Sequence, residues 1–170
     1  MNKTNLPIIG STALVSICGR ENVPAKIDTG ADSSSVWASQ IMIGKDGLLT
    51  FCLFGKSSPF YSGKTITRKD YKVAVVRSAT GEEQVRYRTY FKVTIGGKRI
   101  RMLMNLSDRS KNNFPVLIGR RSIKNKFLVD VSQMETERPK KNPKTRPLQE
   151  ELRKDPRKFY KKYSNKGDNK

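Results

Sequence analysis

Residues 1–132 predict a mainly β domain and residues 133–170 predict a basic tail. Three observations carry this reading. Short alternating or β-branched runs recur between turn signals, only one convincing helical stretch interrupts them, and aliphatic residues almost vanish after position 132. The apolar run from Leu6 to Gly19 follows Lys3 and has the outline of a secretory segment ending at Cys18. Pro7, Gly10, Ser11 and Thr12 break it, however, and bulky Ile17 stands where a small residue should precede cleavage. It therefore predicts a first strand, Ala13–Cys18, in a cytoplasmic chain without a membrane span. Further strands are expected at Ala25–Asp28, Leu48–Phe54, Lys72–Arg77, Gln84–Ile95, Arg99–Asn105, Val116–Ile118 and Phe127–Val131. Gly96-Gly97 reads as a two-residue hairpin turn, and Ala79-Thr80-Gly81 with Glu82 as a looser one. The helix is short, Arg120–Asn125, just after Gly119.

The tail holds 13 basic and 6 acidic residues with four prolines, so it cannot bury a core; it reads as disordered, with a transient helix around Leu148–Lys154. The whole 170-residue chain carries 35 Lys or Arg against 15 Asp or Glu, a net charge of +20. Residues 1–131 keep 22 basic and 9 acidic side chains, or +13, so most of the excess belongs to the folded body. A basic body makes a field that attracts anionic partners, whereas a basic tail alone is commonly a solvated appendage.

Composition excludes several chemistries. With no histidine, a His-based catalytic triad, a His-ligated haem and an HExxH zinc site are impossible. Two cysteines, Cys18 and Cys52, cannot build a Cys-only zinc site or a disulfide framework. No GxxxxGK[ST] phosphate loop is present. Neither a metal nor a nucleotide cofactor is expected.

The sharpest constellation is Asp28-Thr29-Gly30-Ala31, which directly follows the apolar strand that ends in Ile27. A carboxylate on a tight turn, with Gly to let the backbone fold close and Thr to tie the turn down, can meet a second carboxylate at hydrogen-bonding distance. Two such acids share one proton, so one activates water while the other protonates the scissile carbonyl. Taken alone, Asp-x-Gly is also a common plain turn. Near the end of the domain stands Phe114-Pro-Val-Leu-Ile-Gly-Arg, with Arg120 lying 92 residues beyond Asp28. With both motifs in this order the chain resembles a retropepsin. The resemblance implies a retropepsin-like acid-protease β-barrel with one lobe per chain. It further implies that Leu117, Ile118 and Gly119 support the Asp28 loop, that Arg120 pairs with Asp32, and that Thr29 interlocks two active-site loops.

Ile9-Gly10, Pro24 through Ala31, Val75-Val76-Arg77-Ser78 through Gly81-Glu82-Glu83 to Arg86-Tyr87, Asn105 through Arg109, Leu117 through Arg120 and Phe127 through Asp130 together resemble the RimB family. Members are retropepsin-like and often labelled "ATP-dependent zinc proteases". The family implies a cytoplasmic peptidase trimming glutamate tails of a ribosomal protein. Many members carry Arg after Asp-Thr-Gly-Ala; this chain has Asp32, as retroviral enzymes do.

One Asp-Thr-Gly per chain predicts a C2 homodimer with Asp28 of each protomer at the axis. Phe127–Val131 is the segment available to close it, the alternative being an internal edge strand of a monomer. Substrate would lie under a flap whose tip is Ser78, Ala79, Thr80, Gly81 and Glu82, with Gly44–Arg68 an insertion relative to viral enzymes. The expected partner is an acidic peptide or a glutamylated ribosomal protein. A second function class stays open: a ribosome- or RNA-binding module using the same charge and the tail segment Arg157-Lys158-Phe159-Tyr160-Lys161-Lys162-Tyr163.

Overall fold

A computed structural model describes residues 5–77, 83–136 and 145–164. The chain divides into two units, Met1–Glu137 and Arg138–Lys170. The first is built from β1 (Ile8–Gly10), β2 (Thr12–Ile17), β3 (Arg20–Asp28), β4 (Ser34–Ile43), β5 (Leu49–Leu53), β6 (Thr65–Arg68), β7 (Lys72–Arg77), β8 (Glu83–Ile95), β9 (Lys98–Ser107), β10 (Val116–Gly119), the one-turn helix α1 (Arg120–Ile123) and β11 (Leu128–Asp130).

Strands β10, β3, β2, β8, β9 and β4 follow one another, and β4 returns to pair with β10. These six strands close a barrel, and β5 and β6 extend the sheet beyond β4. Alternation explains the closure. Val23, Ala25 and Ile27 of β3 point inward, as do Phe91, Val93 and Ile95 of β8, while the intervening residues face out. The hairpin between β8 and β9 turns at Gly96 and Gly97, both at positive φ, as the two-residue turn requires.

The start of β3 and the strand count differ from expectation. β3 begins at Arg20, not Ala25, because Pro24 sits in it opposite Leu14. β4 was not expected at all: its Ser-rich start hides the alternation, and Gln40, at φ 52, breaks it where the pairing register with β5 shifts. The inserted segment is integral, since Phe51 and Phe54 are fully buried. The helix stops at Ile123, and Asn125 at φ 60 turns the chain out two residues later.

β11 pairs in parallel with β1 of the same chain, Ile8 opposite Leu128. The first unit then continues past the boundary expected at residue 132. Ser11 N–H donates to the Gln133 carbonyl at 2.8 Å, Leu14 N–H to the Glu135 carboxylate at 2.7 Å, and Thr136 N–H to Thr12 Oγ1 at 3.1 Å. Ser132 and Gln133 also donate to the Asp130 carboxylate, holding its pKa below the usual range.

In the second unit the expected disordered tail contains two helices, α2 (Thr145–Lys154) and α3 (Pro156–Ser164). Asp155 accepts from Lys158 N–H at 2.9 Å and Pro156 opens the helix, a capped start that composition alone obscures. Glu151 of α2 accepts from Lys162 Nζ at 2.6 Å and from the Tyr163 hydroxyl at 3.1 Å, tying α2 to α3. Among the described residues no helix is long and apolar enough to cross a membrane.

Candidate active site

Asp28 ends β3, and β10 runs parallel beside it in the register Ile118 with Ile27 and Gly119 with Asp28. The chain turns sharply at Asp28. Its Oδ1 accepts from the Gly30 and Ala31 N–H groups at 3.2 and 3.1 Å, and Ala31 N–H also reaches the Asp28 carbonyl at 3.2 Å. These bonds fix the carboxylate's orientation. Oδ2 stays open on the other side, 3.4 Å from Lys26 Nζ, with the Asp28 side chain 28% exposed. Thr29 and Gly30 are exposed at the apex of the turn.

The loop is bolted to β10 and α1. Arg120 N–H donates to the Ala31 carbonyl at 2.8 Å and Arg121 N–H to the Asp32 carbonyl at 3.3 Å. Gly119 N–H donates to Ser34 Oγ at 3.0 Å, and Ser34 Oγ lies 2.6 Å from Ser122 Oγ in a buried pair. The two residues before Gly119 have separate roles. Ile118 is fully buried in the core with Ile27, whereas half-buried Leu117 stands on the face shared with Lys26 and Asp28 and floors that side. The two-residue period thus puts Leu117 on the Asp28 face of β10 and Ile118 on its core face.

Arg120 and Asp32 do pair, and Arg121 Nη2 joins them at 3.0 Å from the second carboxylate oxygen. The cluster is exposed, with Asp32 at 44%, Arg120 at 60% and Arg121 at 71%. Solvent screening reduces such a pair to about 1 kcal/mol or less. Arg120→Ala is therefore expected to cost no more than about 1 kcal/mol in urea unfolding, because Arg121 keeps Asp32 compensated. A loss above about 3 kcal/mol would mean that the pair acts as a buried one.

Two further residues belong to the site. Lys26 shares a strand face with Asp28 at a spacing of two, a signal available in the sequence. Arg109 was hidden by distance along the chain. It donates to Ser35 Oγ at 3.0 Å and to the Phe114 carbonyl at 2.9 Å. Burial pushes its guanidinium below the ordinary value, Arg86 adds to that, and the charge of Asp28 works against it.

The flap candidates Ser78, Ala79, Thr80, Gly81 and Glu82 lie outside the described residues. The arms leading to them, β7 and β8, pair from Lys72 with Arg88 to Arg77 with Glu83 and expose Val73, Val75 and Val85. Among the described residues no three Asp, Glu or Cys side chains converge. That donor set does not fit a zinc ion.

A closed six-strand barrel in which a strand-end Asp-Thr-Gly turn is crossed by an aliphatic-Gly-Arg strand is the retropepsin-like fold, one lobe of it in each chain. Residues 8–140 match the RimB-like family, described as retropepsin-like aspartic endopeptidase RimB, and the chain belongs to that family. Similar curated proteins are two probable alpha-L-glutamate ligases, from Shewanella pealeana (strain ATCC 700345 / ANG-SQ1) and Shewanella halifaxensis (strain HAW-EB4). Each is 30% identical over 114 residues, covering 65% of this chain and 25% of the relative. The chain thus matches a quarter of the length of those relatives. A crystal structure of Lpg0085, a protein of unknown function from Legionella pneumophila subsp. pneumophila str. Philadelphia 1, shares the fold. Its TM-score is 0.55 at 24% identity, covering 76% of this chain and 97% of that one.

Proposed function

We propose that this chain is an aspartic endopeptidase that works as a cytoplasmic homodimer with one Asp28 per protomer, trimming acidic, glutamate-rich tails of a ribosomal protein. The observation that carries the reading is the Asp28 carboxylate itself. It is oriented by two backbone N–H groups through one oxygen, and its other oxygen faces Lys26 Nζ at 3.4 Å beside an exposed turn. Binding alone needs no such arrangement. In the dimer two such carboxylates meet and share a proton, because ionising both at close range is costly. The ionised one takes a proton from water as it attacks the carbonyl; the protonated one donates to the carbonyl oxygen.

The edge formed by β1 and β11 supports dimerisation, since Ile8, Leu128 and Val131 expose apolar side chains there. The basic body supports an acidic substrate, as does the kinship with probable glutamate ligases over a quarter of their length. The RNA-binding alternative loses part of its support in the second unit. Phe159 and Tyr163 pack ring to ring at 4.4 Å, and Tyr160 is left as the exposed ring of the three.

The test is cleavage of a synthetic peptide ending in several glutamates, with products read by mass. Shortened products that disappear with Asp28→Asn support the reading, and specific activity is expected to fall on dilution as dimers dissociate. A chelator is expected to leave the rate unchanged. Activity that is independent of protein concentration would contradict the shared dyad.

A further inference from the structure

The solvent face of β8 and β9 carries an excess of like charge that the fold does not need. Lys92 stands directly opposite Arg101, and Arg99 lies two residues from Arg101 on the same face. Like charges opposite one another on a sheet destabilise it. Among the described residues none of Arg88, Lys92, Arg99 and Arg101 forms an ion pair.

Two cavities share this face, and Arg101 lines both. The smaller, about 130 Å³, starts at Ser33 and Ser34, directly after the Asp28 loop, and is lined by Arg88, Asn105 and Arg121. The larger, about 590 Å³, continues past Tyr90, Lys92 and Arg99 to Cys18 and Gly19, at the opposite end of β3 from Asp28. Arg101 is held over the Tyr90 ring at 3.8 Å, which orders its guanidinium along the track.

Two buried polar atoms of side chains that line the smaller cavity lack partners. Arg88 Nε has no acceptor, and Asn105, only 3% exposed, donates from Nδ2 to the Ser34 carbonyl but leaves its buried Oδ1 without a donor. A ligand that satisfies both must offer an acceptor to Arg88 and a donor to Asn105. An acidic peptide offers a carboxylate and an amide N–H at every residue; an RNA backbone offers phosphate oxygens and a 2′-hydroxyl, and no amide N–H. Same-face carboxylates on an extended peptide recur about every 6.8 Å, the spacing of alternate residues on β8.

We infer that this track is an exosite holding an acidic peptide segment, a run of glutamates, that extends from the catalytic cleft past Ser33 along β8 and β9. The inference rests on the acidic-peptide reading above and places its recognition outside the catalytic loop.

The test uses the full chain carrying Asp28→Asn, so that the probe is bound but not consumed. Fluorescein-labelled hexaglutamate and diglutamate are titrated by anisotropy, with and without Lys92→Gln and Arg99→Gln together. Six extended residues reach about 20 Å and span Arg88 to Lys92 and Arg99, whereas two do not. The double variant is expected to weaken hexaglutamate binding about fivefold and diglutamate less than about twofold. Raising salt should shrink the difference. Both residues are exposed and removing Lys92 relieves its repulsion with Arg101, so the melting temperature should hold or rise slightly. In the cleaving protein the same change should raise KM for the longer peptide with kcat unaltered.

Unchanged hexaglutamate binding, or an equal loss for both peptides, overturns the exosite. A larger loss for an oligouridylate of equal charge overturns it in favour of RNA. Binding is read without cleavage, so a protein that cuts no peptide yet discriminates the two probes refutes the peptidase and leaves the exosite standing.

Discussion

Asp28→Asn is expected to abolish peptide cleavage while the melting temperature stays near that of the parent. The amide has almost the volume of the carboxylate, and its oxygen still accepts from Gly30 and Ala31 N–H, so the turn keeps its geometry. What disappears is the ability to hold and pass a proton. General acid–base catalysis is worth about 10² to 10⁴ in rate, and in a symmetric dimer the substitution removes both partners at once. The expected loss is therefore at least about 10³ in kcat. Lys26 loses its anion 3.4 Å away, but at its exposure that costs little. Mass analysis of products and thermal unfolding of the same preparation check both halves. Retention of a tenth or more of the parental rate would sink the aspartic mechanism.

The contrast between what was readable in the sequence and what was not follows the range of the interactions. Asp28-Thr29-Gly30 and Gly119-Arg120 are local patterns, and the structure brings them side by side, Gly119 opposite Asp28. The Asp32 pairing with Arg120 was also legible, but its solvent exposure was not, nor was the second arginine, Arg121. Burial is a property of the packed molecule rather than of the motif. Strand β4 escaped because tertiary pairing with β9 and β10 holds Ser34 and Ser35 extended, where Ser-rich segments ordinarily favour turns. Arg109 escaped because its hydroxyl partner, Ser35, is 74 residues away. In the tail, the helix expected around Leu148–Lys154 is α2, whereas α3 escaped for the opposite reason: a local cap at Asp155 and a Glu151 contact organise a segment whose composition argues against a core.

Gly119→Ala is the second large effect, and it should act through stability and activity together. Gly119 has φ −84 and ψ 164, a conformation open to any residue, so the cost is steric rather than conformational. A Cβ there would lie 2.6 Å from both the carbonyl carbon and oxygen of Ser33 and 2.9 Å from the Ala31 carbonyl oxygen. These are backbone atoms of the Asp28 loop, and the loop cannot simply retreat. Arg120 N–H holds the Ala31 carbonyl at 2.8 Å and Gly119 N–H holds Ser34 Oγ at 3.0 Å. Either those bonds break or β10 moves away from β3, and each route gives up contacts that set the position of Asp28. Overpacking of this kind costs about 3 kcal/mol, which lowers the melting temperature of a domain this size by about 10 °C. A shift of about 1 Å at the reacting carboxylate costs about a further 10²-fold in rate. Asp28→Asn should remove activity without stability, whereas Gly119→Ala should reduce both. A Gly119→Ala protein that melts within about 2 °C of the parent and cleaves at the parental rate would show that β10 does not press against the loop.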